Sequence, residues 1–487
     1  MNTLQRLLKN TVAMSATSAL RLGVGLVLTV YIARELGATF LGKYTLLVAY
    51  INIFQILSEA GIPRLATREV ARTPHEGGRY FWNALATQLA CSVLASFVMI
   101  AAVELLGYPD DTTWMLYLAT GALPTYAALI AGQAILQAHE RMEISTLAEI
   151  ISSVGQLAAT IIVLRLGYGV VGLALVKVLG FALIAVVNLL AVWRLRMVGR
   201  PQLDLRFCWK LLREASNILL MALFGAVLLR LDVLIIVQLC GEAVVGIYNA
   251  AYQLVKASVL LVWAYADAIY PLLSRFYREN AGRMQTAIAA SLQYGAIAIL
   301  PLAVGVTMLA SPVILLIYGN GSFVDAAGAL RLLVWHLLPF FAHTMLMRAL
   351  IAHDRQDLAG RIEGLVVGAA AIYQLTLVYF FGMMGAAVAA SLTFLTAVFI
   401  SSRSLLRAAG RLDVPWREIG RAVAAAAGMG LVLWLIRGAG LWIAAPVGVL
   451  VYGILALALG AVSADDRRRL MQTISRRSGA HDRSSRG

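Results

Sequence analysis

Charged residues are scarce in this chain: of its 487 residues only 13% are Asp, Glu, Lys or Arg, whereas 61% are hydrophobic. Soluble globular proteins carry about 25% charged and about 45–50% apolar residues. The shortage of charge excludes an ordinary soluble domain. A bilayer core favours long apolar helices, which satisfy their own backbone hydrogen bonds. The composition therefore predicts an all-α polytopic membrane protein.

Cysteine is also scarce. The chain has only Cys91, Cys208 and Cys240, and they are far apart with no CxxC spacing, which argues against a disulfide framework and against a metal site. The net charge of +15 would be compatible with nucleic-acid binding in a soluble protein. Here the cations fall in short segments between apolar runs, so no nucleic-acid partner is expected.

Two sequence motifs of enzymes are missing. The chain has neither a D-x-D metal motif, as many glycosyltransferases have, nor a Walker A motif for ATP binding. We therefore expect a protein that is not an enzyme and uses no cofactor.

A helix needs about 20 apolar residues to cross a bilayer, and most of fourteen apolar runs reach that length; the twelfth is short, and 310–318 is an alternative half-inserted segment. All fourteen runs are candidate membrane spans. Their expected ranges are 10–33, 44–63, 81–106, 114–137, 145–164, 170–193, 214–240, 247–273, 284–309, 326–351, 362–381, 385–402, 420–437 and 441–462. The first run follows Arg6 and Lys9 and is longer than the core of a signal peptide, so we expect an uncleaved first helix.

The basic residues predict the orientation of these spans. With the N-terminus in the cytoplasm, 30 of the 40 Lys and Arg residues fall in cytoplasmic segments, four fall on the opposite side and six lie within spans. Lys and Arg concentrate in the cytoplasmic loops of membrane proteins. Both termini are therefore expected in the cytoplasm. No segment on the opposite side exceeds 16 residues, which disfavours an enzyme with a large outer loop.

Three short patterns each occur twice, in the same order along the chain. They are G-x4-G-x-Y starting at Gly37 and Gly241, A-H-[ED]-R starting at Ala138 and Ala352, and G-x2-G-x-A starting at Gly169 and Gly382. The two copies are 204, 214 and 213 residues apart, respectively. The similar offsets predict that one group of six helices is repeated.

The same repeat relates two acids inside the apolar runs. Glu59 precedes Pro63 by four residues and Asp267 precedes Pro271 by four, at an offset of 208. Each acid is expected near the cytoplasmic end of the second helix of its copy.

Because six helices separate the copies, they should have the same orientation, like the parallel repeats of some transporters. We expect residues 1–193 and 214–402 to form two lobes, called the first half and the second half below. The basic segment 194–213 links them. Residues 403–462 hold a basic loop and two further helices, and 463–487 form a basic, disordered cytoplasmic tail near anionic lipid head groups.

Ionisable residues inside the apolar runs are the candidate functional residues, because a charge at mid-membrane costs at least about 2.5–3.5 kcal/mol. The candidates are the cations Arg21, Lys177, Arg230 and Lys256 and the acids Glu59, Asp232 and Asp267. Such side chains usually face a bundle interior or a water-filled cavity. The excess of cations predicts an anionic substrate, and phosphate suits Arg and Lys.

The eighth expected span carries polar side chains along one stripe. At 100° per residue, Asn249, Lys256, Trp263 and Asp267 fall within about 20° of one line. This arrangement favours a cavity wall over a lipid-facing surface. The simpler alternative is that buried cations and acids pair with each other between helices. That alternative stays open for each of them, above all for Asp232.

Segments from both halves resemble one known family. IARELGATFLGKYTLLVAYINIFQILSEAGIPRLATREVAR (32–72), RLDVLIIVQLCGEAVVGIYNAAYQLV (230–255) and YPLLSRF (270–276) resemble polysaccharide flippases of the MOP (multidrug/oligosaccharidyl-lipid/polysaccharide) superfamily. The likeness covers nearly the whole chain. It implies MATE-like lobes that transport by alternating access around a cationic cavity.

The resemblance implies a Wzx-type flippase. Its substrate would be undecaprenyl-diphosphate-linked oligosaccharide, moved across the bacterial inner membrane for the synthesis of O-antigen, capsule or exopolysaccharide. Membrane lipids surround such a protein, and a polysaccharide polymerase and a chain-length regulator are expected partners. The coupling ion, H⁺ or Na⁺, stays open.

Within that role the charge pattern assigns parts to the candidates. The diphosphate would meet Arg21, Arg230 and Lys256, with Lys177 as a weaker candidate. Sugars would contact Tyr44, Tyr248, Asn249 and Trp263. Gating or ion coupling would use Glu59, Asp232 and Asp267.

Three other functions compete with this interpretation. A lipid II flippase, which moves the peptidoglycan precursor, would share the architecture and the cationic cavity. A MATE-type multidrug or cation antiporter should have an acidic cavity and usually twelve helices. A membrane polysaccharide polymerase or ligase should carry the long outer loop that this chain lacks.

Overall fold

The computed structural model is helical almost throughout, as the composition predicts. The structure describes residues 3–228, 230–319, 321–410 and 413–461, and within these ranges it contains helices and no strand. The expected tail 463–487 and the side chain of Arg21 lie outside the described residues.

Sixteen α-helices cover the described ranges. They are α1 Thr3–Glu59, α2 Ile62–Arg72, α3 Gly77–Leu106, α4 Asp110–Ala119, α5 Ala122–Ala138, α6 Met142–Arg165, α7 Gly169–Arg194, α8 Leu205–Leu228, α9 Leu231–Cys240, α10 Glu242–Glu279, α11 Ala281–Tyr318, α12 Ala326–Leu333, α13 Leu337–Ala352, α14 Gln356–Ala409, α15 Trp416–Leu435 and α16 Leu441–Ala458. In these ranges, 11 helical segments are long and apolar enough to cross a membrane, or 12 if the bent α8 is one span. The chain is thus a multi-pass membrane protein.

Two of the helices are much longer than a bilayer is thick, and each is interrupted by a glycine. The backbone leaves helical geometry at Gly37 in α1 (φ 80°, ψ −173°) and at Gly382 in α14 (φ 58°, ψ −139°). Glycine adopts positive φ at no steric cost because it has no β-carbon. Both glycines begin one of the repeated patterns. Each marks the place where the sequence predicts a connection between two spans.

Exposed tryptophans lie near the ends of several helices. Trp114, Trp193, Trp209, Trp416 and Trp442 are between 63% and 80% exposed. Tryptophan is enriched where a membrane protein crosses the membrane–water interface. These positions therefore indicate that the helix ends lie at the two surfaces of the bilayer.

The chain forms two compact units. The first comprises Met1–Gln253 and Glu363–Ala386, and the second comprises Leu254–Ile362 and Ala387–Gly487. In the first unit, α5, α6 and α7 pack around a buried cluster of Leu129, Ala148, Ile184 and Ala185. In the second unit, α15 lies against α11 and α16 along a seam of small residues, which include Ala296, Ala425, Ala426, Ala444 and Ala456. Small residues let helix backbones approach closely in membranes.

The segment that links α7 to α8 is held against α3. The side chain of Asn83, which has no exposed surface, donates to the Gln202 carbonyl oxygen at 2.8 Å and accepts from the Asp204 amide at 2.7 Å. Asp204 in turn caps α8, because its carboxylate accepts from the amides of Arg206 and Phe207. These hydrogen bonds from backbone amides lower the pKa of Asp204 below its ordinary value. Part of the basic linker is thus an ordered strap.

Candidate functional site

Arg230 lies at a break between two apolar helices. α8 is bent by 51° at Ser216–Ile218 and ends at Leu228, and α9 begins at Leu231. The backbone of Arg230 (φ −134°, ψ −4°) is not helical and caps α9. Broken helices in membrane proteins line cavities or are buried in protein, because lipid cannot satisfy their free polar groups. The break therefore distinguishes Arg230 from an arginine on a helix surface.

Asp232, in the first turn of α9, is hydrogen-bonded to α10. The Tyr248 hydroxyl donates to Asp232 Oδ2 at 2.9 Å, and the Val233 amide donates to Oδ1 at 2.8 Å. Tyr248 is 1% exposed, and its ring stacks on Tyr252 with 6.3 Å between the centroids. Tyr248, predicted to contact sugar, is therefore buried against Asp232 in this structure.

Arg230 forms no ion pair with Asp232, although the two residues are close in sequence. Within the part of the chain that the structure describes, no carboxylate oxygen lies within 4.0 Å of the Arg230 guanidinium nitrogens, and the side chain is half-buried. The Asp232 carboxylate is occupied by Tyr248 instead. A positive charge without an ion pair thus lies at the break.

Lys177, another of the predicted cations, lies beside an aromatic ring. Lys177 is half-buried on α7, with Nζ 6.0 Å from the centroid of the Tyr44 ring on α1. This distance is at the limit of a cation–π interaction. Tyr44 is 8% exposed. Two residues assigned to different parts of the substrate are thus neighbours.

The predicted stripe on α10 runs from buried to exposed. Asn249 is 4% exposed, Lys256 is half-buried, Trp263 is 37% exposed and Asp267 is exposed. The Trp263 ring meets Phe340 edge-on, with 6.3 Å between the centroids. The stripe is therefore accessible at its Asp267 end and closed at its Asn249 end.

The two acids related by the repeat have different partners. Glu59 Oε1 accepts from the Tyr126 hydroxyl of α5 at 2.7 Å, whereas Asp267 Oδ1 accepts from Arg348 Nη2 of α13 at 2.5 Å. Glu59 ends α1, just before a turn at Gly61 (φ 71°), whereas α10 continues as one helix through Asp267. A pocket of about 390 Å³, lined by polar and apolar side chains, opens beside Glu59.

Sequence reasoning missed an ion cluster at the start of the helical segment that follows Gly37. Lys43, which is 8% exposed, forms ion pairs with Asp111 and, at 3.5 Å, with Glu242 Oε2. The Thr112 hydroxyl donates to Glu242 Oε1 at 2.5 Å. The sequence places Lys43 in a loop, and only the repeated G-x4-G-x-Y pattern indicates that Glu242 belongs near it.

Beside this cluster, α1 and α10 touch through their backbones at equivalent positions of the repeat. A β-carbon on Gly42 would overlap the carbonyl oxygen of Glu242, and one on Gly246 would overlap that of Ala38. Ala38 and Glu242 are 204 residues apart, as are Gly42 and Gly246. This region, called the glycine contact below, is therefore self-complementary, like an interface about a twofold axis.

Known structures share this fold. A lipid II flippase MurJ in an inward closed conformation superposes with a TM-score of 0.78 over 92% of this chain and 98% of that one, at 14% identity. An inward-facing MATE-family multidrug transporter of the MOP superfamily matches with a TM-score of 0.62 over 79% of this chain and 94% of that one, at 17% identity. The chain thus has the fold of these transporters.

Relatives by sequence come from Haloferax volcanii. The probable flippase AglR is 24% identical over 475 residues, which are 93% of this chain and 95% of the relative. The probable low-salt glycan biosynthesis flippase Agl15 is 23% identical over 374 residues, which are 75% of this chain and 76% of the relative. A family model described as polysaccharide biosynthesis protein matches residues 7–277, more than half of the chain. The chain therefore belongs to the polysaccharide biosynthesis protein family.

Proposed function

We propose that this chain is a flippase that moves undecaprenyl-diphosphate-linked oligosaccharide from the cytoplasmic to the outer leaflet of a bacterial inner membrane. Both Haloferax relatives are named probable flippases, one of them for glycan biosynthesis. The family and the transporter fold support the same activity. Translocation of a lipid head group needs binding and conformational change but no covalent step, so the proposed protein is not an enzyme.

Arg230 is the observation that carries this proposal. It combines a helix break within a span with a half-buried cation that has no ion pair among the described residues. A charge in that position costs several kcal/mol unless a ligand compensates it. A diphosphate supplies two adjacent anionic groups, which arginine binds with paired hydrogen bonds. A cationic drug would be repelled instead, which disfavours the multidrug antiporter.

The proposed topology has fourteen spans. Dividing α1 at Gly37 and α14 at Gly382, and taking α8 with α9 as one span, matches each expected apolar run to a helical segment. The excess of Lys and Arg supports cytoplasmic termini. In this orientation the glycine contact lies on the outer side of the membrane, and Glu59 and Asp267 lie towards the cytoplasm. The two halves would then move as lobes, with helices thirteen and fourteen outside the repeat.

The proposed roles follow from this orientation. Arg230, Lys256 and Arg21, with Lys177 in support, receive the diphosphate. Sugar contacts come from Tyr44, Tyr248, Asn249 and Trp263. Tyr248 is buried here, and it takes part once the structure changes conformation. Glu59, Asp232 and Asp267 act in gating or in coupling to H⁺ or Na⁺.

A lipid II flippase is the second candidate, favoured by the TM-score of 0.78 to such a protein. Lipid II also carries a polyprenyl diphosphate, so the phosphate path would be unchanged. The two candidates differ in the group that the diphosphate carries, and substrate competition would separate them.

The test is a leaflet assay on purified protein in liposomes. A fluorescent undecaprenyl-diphosphate oligosaccharide is followed by its accessibility to an external quencher. We expect Arg230→Ala to slow protein-dependent translocation at least about 10-fold, since a lost charge-assisted contact is about 1.5–3 kcal/mol. Arg230→Lys should retain part of the rate, because the charge remains.

Arg437→Ala is the matched control. This arginine is exposed and lies over the Trp434 ring, 5.4 Å from its centroid, so its removal should leave the rate unchanged. Full translocation by folded Arg230→Ala would mean that the cation does not serve the substrate. Translocation of a cationic dye but not of the lipid by the wild type would favour the antiporter.

A further inference from the structure

The pocket beside Glu59 lies between α2 and α5. α2 buries one face through Ile62, Leu65, Ala66 and Val70, so Arg64 and Arg68 project from the other side. The Thr67 hydroxyl donates to the Ala134 carbonyl oxygen of α5 at 3.2 Å and ties the two helices together. The pocket, of about 390 Å³, has the size of a small-molecule site, for which about 300–1,000 Å³ is typical.

Its lining offers many hydrogen bonds and little net charge. The long polar side chains in the lining are Glu59, Arg64, Arg68, Gln133 and Gln137. Arg68 Nε is already paired with Glu69 at 2.8 Å, and the charge of Arg64 acts on Glu59. Gln133 Nε2 donates to Glu149 at 3.2 Å, which orients its amide. The lining thus combines one carboxylate, two guanidinium groups and two amides, and sugar hydroxyl groups use donors and acceptors of both kinds.

The second half of the chain shows that the fold does not require this polarity. At the repeat offsets of 208 and 214, Arg64, Arg68, Gln133 and Gln137 correspond to Leu272, Phe276, Met347 and Ile351. Four polar positions are therefore apolar in the equivalent place. Arg64, Arg68 and Gln137 are exposed and Gln133 is half-buried, so these side chains are accessible to a ligand, and the second half shows that the fold accepts apolar residues in their place.

Ala134 also differs between the two halves in a way that favours a pocket in the first half. Its equivalent in the second half is Arg348, which pairs with Asp267, the equivalent of Glu59. In the second half an arginine thus supplies the acid with a partner. In the first half the position carries only a methyl group, and the pocket lies there instead.

We infer that the pocket beside Glu59 binds a sugar ring of the lipid-linked glycan, by hydrogen bonds from Gln133, Gln137, Arg64 and Glu59. This inference rests on the proposed flippase function and assigns the sugar a place separate from the Arg230 phosphate path. In the proposed orientation the pocket is at the cytoplasmic end, where the substrate enters. It would therefore select substrates that carry a glycan before translocation.

The test compares binding of two lipids to the full-length protein in nanodiscs. The probes are bare undecaprenyl diphosphate and undecaprenyl diphosphate that carries one N-acetylhexosamine. Wild type should bind the sugar-bearing lipid more tightly. The double variant Gln133→Met, Gln137→Ile should bind it about 10-fold more weakly, since each lost hydrogen bond weakens binding roughly two- to tenfold, and should bind the bare lipid unchanged. These substitutions import residues that the second half already accommodates, which favours folding.

A second variant, Ala134→Arg, fills the pocket as the second half does and should have the same selective effect. An equal loss for both lipids would overturn the inference, because the pocket would then act on the diphosphate or on the fold. Equal binding of both lipids by the wild type would also overturn it. Binding of neither lipid by the wild type would instead overturn the proposed function, and the sugar pocket with it.

Discussion

Gly42 and Gly246 hold equivalent positions in the two halves, and each is pressed against the backbone of the other half. Glu59 and Asp267 are also equivalent, yet one faces a tyrosine and a pocket and the other faces an arginine. The two copies thus agree at the glycine contact and differ around the two acids. A self-complementary contact requires that a change on one side suit the other. The acids do not contact each other's copy in this way, so each environment could change alone.

Even the glycine contact is symmetric only in its backbone. Lys43 of the first half corresponds to Ile247 of the second, and Glu242 corresponds to Ala38. One ion cluster therefore accompanies two equivalent glycines. The backbone contact is therefore shared by the two copies, whereas the charges belong to one side of it.

Removing Lys43 should have the largest effect on this comparison. Lys43→Met removes the cation that pairs with both Asp111 and Glu242. The side chain of Glu242 is only 11% exposed and would be left without an ion pair from this lysine. Breaking a buried pair costs about 3–5 kcal/mol, and we expect a value near the lower limit, since Asp111 is 52% exposed. The measurement is unfolding in detergent. Ile247→Met at the equivalent position should cost less than about 1.5 kcal/mol, and equal losses would remove the asymmetry.

The two glycines should respond alike and somewhat less strongly. Gly42→Ala and Gly246→Ala each place a methyl group on a carbonyl oxygen, and overpacking of this kind costs about 1–3 kcal/mol. Gly155→Ala on α6 is the control, because its β-carbon would meet nothing within 4 Å. Thermal unfolding of the three variants is the readout. Clearly unequal losses at positions 42 and 246 would contradict the twofold relation.

The smallest effects are expected at the two acids. Tyr126→Phe introduces the residue type found at the equivalent position of the second half, Phe340, and removes the hydroxyl that donates to Glu59. We expect a loss of stability of about 1.5 kcal/mol, as for other hydrogen bonds to a charged group. Arg348→Ala introduces alanine, the residue found at the equivalent position 134 of the first half. It breaks a partly exposed ion pair, which contributes about 0.2–1 kcal/mol. Chemical denaturation in detergent would rank the two variants by their free energy of unfolding. A larger loss of stability for Arg348→Ala would contradict the view that Glu59 forms the stronger of the two contacts.

Much of the architecture can be predicted from the sequence because lipid imposes simple rules. Apolar length and charge placement locate the helices, and repeated glycines locate the breaks at Gly37 and Gly382. The tail 463–487 cannot be compared, because it lies outside the described residues.

Partners in space are harder to predict than positions along the chain. For Asp232 the sequence favours a buried cation as the partner, whereas in the structure it bonds to Tyr248, a residue that the sequence assigns to sugar contact. Lys43 looked like an ordinary loop cation because Asp111 and Glu242 are distant in sequence. Helical periodicity shows which residues share a face, but it does not show which face of another helix lies opposite.

The hydrogen bonds from Asn83 to the linker have a practical consequence for experiments that cut the chain or insert another protein into it. A basic loop between two repeated halves looks like the natural place to cut the chain or to insert a fluorescent protein. A cut at residues 199–204 would detach Gln202 and Asp204 from Asn83, an amide with no exposed surface. Tolerance of insertions depends on such backbone bonds rather than on position in the sequence. The boundary between the two copies in the gene is therefore not a free boundary in the folded chain.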